Sequence, residues 1–129
     1  MELETMRPDP AWEAGAHADA VDVLAGLGDE FTVLVWGDDG CGDCRDQLPA
    51  FGAALAAAGI GRDRVTHYPV ERLPEGRKRG PRVEEYGIRR IPTVVVERDG
   101  EEVVRFVEEA DQPIADYLAE RLRELEASV

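Results

Sequence analysis

The stretch from residue 31 to residue 70 restricts the fold more than any other part of the chain. FTVLVW (31–36) is a short, almost uninterrupted β-rich apolar run, the pattern of a strand covered on both faces. A helix is expected from about Cys41 to Ala58, stopped by Gly59 and Gly61, with Pro49 inside it as a source of a kink. VTHYPV (65–70) then reads as a second buried strand. Two strands joined through a helix lie parallel, because that crossover carries the chain back to the starting edge. The fold class is therefore α/β, and 129 residues make one domain.

The flanking segments extend this unit. Residues 1–8 are expected to be a flexible, frayed tail, leaving residues 9–129 as the domain. Asp9 and Pro10 resemble a helix start, after which Trp12, Ala16, Ala20, Val23, Leu24 and Leu27 recur at helical spacing until Gly26 and Gly28. Residues 71–82 read as an arginine-rich loop punctuated by proline and glycine, followed by one or two helical turns ending at Gly87. PTVVVERDGEEVVRFV (92–107) is a hairpin turning on Asp99-Gly100, and a last amphipathic helix opens at Asp111-Gln112-Pro113. The sum is a mixed sheet with helices on both faces.

The chain has two cysteines, Cys41 and Cys44, placed where the first strand gives way to its helix. A thiol is nucleophilic only as thiolate, and a free cysteine with a pKa of about 8.5 is mostly protonated at neutral pH. Unpaired N–H groups and the dipole at a helix N-terminus favour the thiolate of the first cysteine. The second, one turn inside, is more buried and stays a thiol until it resolves a mixed disulfide. Cys41 is thus the expected nucleophile and Cys44 the resolving thiol. Asp43 and Asp46 suit the positive end of the helix but oppose a thiolate at Cys41, while Arg45 favours one.

FTVLVWGDDGCGDCRDQLPAF resembles the active-site region of the thioredoxin family, with CGDC as its cysteine motif and Pro49 five residues beyond the second cysteine. YGIRRIPTVVVERDGE (86–101) resembles the stretch in which that family sets Ile-Pro-Thr before the hairpin. The resemblance implies a thioredoxin-like fold, a redox-active Cys41–Cys44 disulfide and a cis Ile91–Pro92 bond opposite it. It implies substrate contacts at Gly40, Gly42, Asp43, Ile91, Pro92 and Thr93, and supporting roles for Trp36, Asp38, Arg45 and Pro49. There are departures. Val35 stands where thioredoxins usually carry a buried Asp, Gly40 replaces a Trp, a familiar Gly is replaced near Glu108, and residues 1–10 supply no convincing first strand. With no acid at position 35, the Cys44 proton is expected to pass to water, Asp38 or Asp39.

The activity implied is thiol–disulfide exchange on disulfide-bearing proteins or small molecules, reset by a reductase or low-molecular-weight thiol, with no cofactor or metal and in a monomer. Two other readings stand beside it: a redox-inert binding module of the same fold, and a thiol peroxidase, which would need a Thr near Cys41. His17 and His67 fit no common zinc spacing with the cysteines and are expected to pack. No apolar run approaches the roughly 18 residues of a membrane span, and MELETMRPDP lacks the apolar core of a secretory signal, so a cytoplasmic, reducing compartment is expected.

The net charge is −13, and Lys78 is the single lysine among 15 basic residues. Such a surface repels nucleic acid and anionic membranes. Residues 71–90 run against it, with seven basic and four acidic residues, and Arg89 and Arg90 directly precede Ile91. Glu97, Glu101 and Glu102 read as solvated charges near the hairpin tip. The acidity as a whole suits concentrated intracellular salt, where the Debye length falls to about 3 Å at 1 M and self-repulsion is screened. The expected result is a melting temperature that rises from dilute buffer to molar salt; a flat or falling profile rejects salt adaptation.

Overall fold

In the computed structural model, which describes residues 3–74, 77–107 and 112–127 (side chains as far as 125), the apolar run at 31–36 becomes the inner strand of a four-stranded sheet. β1 (Phe31–Gly37) pairs in parallel with β2 (Val65–Pro69) on one side. On the other it pairs antiparallel with β5 (Thr93–Arg98), which turns through Asp99 (φ 53°) and Gly100 (φ 84°) into β6 (Glu101–Val107). The order is β2-β1-β5-β6. Val33 to Gly37 are all buried, as a strand with neighbours on both edges and layers on both faces requires.

Alternation along β1 assigns the helices to faces. Val35, Val94 and Phe106 share a row, and Phe106 meets Tyr117 of α4 (Ile114–Ala127) edge-on at 5.4 Å. α1 (Ala18–Ala25) and α2 (Gly42–Ala57) pack against α4 and each other. Trp36 points the opposite way. It is fully buried, donates from Nε1 to the Pro81 carbonyl (2.9 Å), stacks on Tyr68 and meets Tyr86 of α3 (Val83–Tyr86) at a tilt of 46°. Helices therefore cover both faces of a mixed sheet. Gly87 ends α3 with a φ of 64°, a conformation glycine adopts without a Cβ penalty.

Several sequence expectations change. The frayed tail is not seen over Leu3–Met6, which forms a 3-10 turn with Leu3, Thr5 and Met6 buried. The Leu3 N–H donates to His67 Nδ1 (2.9 Å), and the Asp39 carboxylate accepts from the Glu4 and Thr5 N–H groups and the Thr5 hydroxyl. The segment then crosses α2 so closely that a Cβ at Gly52 would collide with the Met6 carbonyl oxygen. The first helix starts at Ala18 rather than Asp9. Asp9 spends its side chain on the Ala11 N–H (2.9 Å) and its own N–H on the Pro49 carbonyl (3.1 Å), so it shapes a turn instead of capping a helix.

β2 is the outer strand of the sheet and only half-buried, not enclosed as VTHYPV suggested. Within the expected loop 71–82, β3 (Glu71–Arg72) and β4 (Lys78–Arg79) form a two-residue antiparallel ribbon, pairing Glu71 with Arg79 and Arg72 with Lys78. Glu97 is buried, not solvated. Tyr86 Oη donates to its carboxylate (2.5 Å) and Arg82 Nη2 donates to Tyr86 Oη (2.9 Å). The Glu97 bond, followed by burial, pushes the Tyr86 hydroxyl up to about 12. His17 stacks on Trp12 and bonds Asp116 (2.9 Å), tying the start of α1 to α4. Asp111 and Glu108 lie outside the described residues.

Candidate active site

β1 ends at Gly37, whose carbonyl accepts the Val70 N–H (2.8 Å). The next four residues turn back: the Asp38 carbonyl accepts the Cys41 N–H (2.9 Å), and Asp38 Oδ1 accepts the Gly40 N–H (3.0 Å). Cys41 then occupies the N-cap of α2 in an extended conformation, and its carbonyl receives the first helical bond from Arg45 N–H (3.0 Å). Pro49 lies inside this helix, where it cannot donate to the Arg45 carbonyl, while its own carbonyl receives the Asp9 N–H.

The two free thiols, at the N-cap and in the first turn of α2, differ in surroundings. Cys41 keeps 8% of its surface open, far less than an exposed helix tip would give, whereas Cys44 keeps none. Cys44, Leu48 and Leu3 converge on the bare backbone of Gly37, where a Cβ would meet Leu3 Cδ1 and Leu48 Cδ1 at 3.2 Å and Cys44 Sγ at 3.5 Å. The polar contact from outside the pair is the Asp38 N–H, which donates to Cys44 Sγ at 3.5 Å. Burial pushes the Cys44 thiol up to about 12; the Asp38 N–H works against this, and the Cys41 sulfur and Asp38 charge add to it.

The expected proton acceptors are otherwise engaged. Asp38 Oδ2 receives Arg72 Nε (3.0 Å), and Arg72 Nη2 also donates to the Gly40 carbonyl (3.3 Å). Asp39 is bound to the N-terminal turn. Burial there would raise its pKa, but the Thr5 and Glu4 donors and nearby His67 outweigh it and hold the carboxyl below the usual range. Both carboxylates are thus already held by other donors, Asp38 by Arg72 and Asp39 by the N-terminal turn. Val35 is fully buried with nothing ionisable to offer.

The remaining residues divide clearly. The Ile91–Pro92 bond is cis. Since Trp36 pairs with Thr93, Pro92 immediately precedes β5 at the sheet end where β1 delivers the cysteines. Gly40, Gly42, Asp43, Arg45 and Asp46 are exposed around the turn and first helical coil, whereas Ile91 and Pro92 are buried. Thr93 faces inward, 1% exposed, its hydroxyl donating to the Arg90 carbonyl (2.6 Å). Arg72 was not singled out in the sequence; the basic excess of 71–90 marked its neighbourhood but not its partner. Beside it a groove of about 740 Å³ opens between Asp38, Val70, Arg79 and Gly80.

A parallel β-α-β unit followed by an antiparallel hairpin, a Cys-x-x-Cys opening the helix and a cis-proline opening the hairpin define a thioredoxin-like fold. Among solved structures the chain is similar to a protein of unknown function from Pseudomonas aeruginosa, at 17% identity over 90% of this chain and 79% of that one, with a TM-score of 0.55. It is also similar to an HIV epitope-scaffold (18%; 92% and 74%; TM-score 0.50) and to a thioredoxin from Halobacterium salinarum (19%; 96% and 95%; TM-score 0.48). No family model and no curated protein matches it.

The Cys44 environment has a stability signature. The unfolded chain ionises this thiol near its ordinary value of 9.0, the folded one near 12. Stability is therefore fully present below pH 9 and lost as pH rises from about 9 toward 12, because only the unfolded state releases the proton in that window. Tyr86 contributes a parallel loss, so the test is a difference: Cys44→Ala should flatten the alkaline decline of the melting temperature relative to wild type. Identical slopes would place Cys44 in contact with solvent.

Proposed function

We propose that the protein is a thiol–disulfide oxidoreductase that reduces disulfides through a Cys41/Cys44 cycle. The observation that carries this is the placement of two free thiols at the N-cap and in the first turn of one helix, one with an opening to solvent and the other sealed. The Cys41 thiolate attacks a substrate disulfide, one substrate sulfur leaves as thiolate, and a mixed disulfide remains. Cys44 loses its proton, displaces the second substrate sulfur from Cys41 and closes the intramolecular disulfide. A reductase or low-molecular-weight thiol restores the dithiol.

Substrates are disulfide-bearing proteins or small molecules presented to the exposed rim of Gly40, Gly42 and Asp43, with the Ile91 and Pro92 backbone opposite. No helix among the described residues is long and apolar enough to cross a membrane. A reducing, cytoplasmic setting and a monomer complete the reading.

The small opening at Cys41 favours a second reading, a binding module of the same fold whose thiols do not turn over. Reduction of insulin by protein charged with dithiothreitol separates the two. The oxidoreductase accelerates the reaction, Cys41→Ser falls to the rate of dithiothreitol alone, and Cys44→Ser accumulates a mixed disulfide visible by mass. A wild-type rate equal to dithiothreitol alone overturns the proposal in favour of the binding module.

A further inference from the structure

The resolving step needs a thiolate at Cys44, yet Leu3, Leu48 and the Gly37 backbone enclose that sulfur, and Val35 supplies no acid or base. Resting on the dithiol reading above, we propose that Arg72 is a positioning residue for this step: by gripping the Asp38 carboxylate and the Gly40 carbonyl it holds the Asp38 N–H against the Cys44 sulfur.

Asp38 is bonded through its backbone to both halves of the motif, its N–H to Cys44 Sγ (3.5 Å) and its carbonyl to the Cys41 N–H (2.9 Å). The turn that carries these bonds is short and ends in an exposed glycine, so its own Asp38–Gly40 contact does little to stiffen it. Arg72 reaches it from another element, β3, and ties its two ends together, Nε to Asp38 Oδ2 (3.0 Å) and Nη2 to the Gly40 carbonyl (3.3 Å). A guanidinium can serve both acceptors at once because its donors are fixed in a planar fork; an ammonium is a single point charge. The pairing also offsets the Asp38 carboxylate, whose charge would otherwise oppose a second anion at Cys44. Both effects favour the thiolate. Arg72 is half exposed, so its ion pair adds little to global stability and its effect falls on the site.

In the step itself the Cys44 S–H gives its proton to water at the rim, and the thiolate attacks Cys41 Sγ of the mixed disulfide. The Cys41–Cys44 bond forms, and the bond from Cys41 to the substrate sulfur breaks. That sulfur leaves with the electron pair and takes up a proton. The two cysteines lose two electrons and the substrate disulfide gains them.

Stopped-flow reaction of the reduced protein with dithiodipyridine, a neutral disulfide, reads the two steps separately. The first thiopyridone is released when Cys41 attacks and the second when Cys44 resolves. In Arg72→Ala the second release should slow about tenfold relative to the first below its pH midpoint, with the midpoint raised by about one unit. Arg72→Lys should recover part of that loss, and the melting temperature should stay near wild type. A second release in Arg72→Ala with unchanged midpoint overturns the inference, as does an equal slowing of both releases with a lowered melting temperature. A wild type that releases a single thiopyridone overturns the dithiol reading itself, and this inference with it.

Discussion

The enclosure of Cys44 against the bare backbone of Gly37 is the constraint on which the rest of the site depends. β1 ends in a residue without a side chain, and a Cβ there would crowd Leu3 Cδ1 and Leu48 Cδ1 and touch the Cys44 sulfur. That packing keeps one thiol neutral and leaves its partner, one turn earlier, at the opening of α2. The difference between the two sulfurs comes from position within one helical turn, with no cofactor required to create it. Leu3 enters this packing from the N-terminal turn, so the segment with the weakest sequence signal closes the floor of the site.

The acidic residues around the motif have separate tasks. Asp38 shapes the turn and receives Arg72, and Asp39 anchors the N-terminal turn through three donors on Glu4 and Thr5. Asp43 and Asp46 stand exposed in the first coil of α2. The adjacent carboxylates of Asp38 and Asp39 thus serve different partners.

Much of the fold was legible because its signals are local. FTVLVW is apolar at every position but Thr32 and became the inner strand; Asp99-Gly100 supplied the positive φ of the hairpin; Pro92 stood just before its strand. The failures involve contacts between residues distant in sequence. Asp9 carries the signature of a helix cap, yet its N–H is claimed by Pro49, forty residues on. VTHYPV has the composition of a buried strand, but an edge position depends on what fails to pair beyond it. Glu97 looked solvated because the Tyr86 hydroxyl that donates to it lies on another element. Arg72 was invisible for the same reason: a loop arginine shows its charge in the sequence and not the carboxylate it grips.

The central claim, that two neighbouring cysteines differ because one is sealed and protonated, is tested most directly by brief alkylation of the native, reduced protein with iodoacetamide at about pH 8, where an ordinary thiol near 8.5 is partly ionised, followed by peptide mass analysis. The account predicts a single adduct, on Cys41, with Cys44 labelled only after denaturation. Labelling of Cys44 in the native protein at a rate equal to or above that of Cys41 would contradict it.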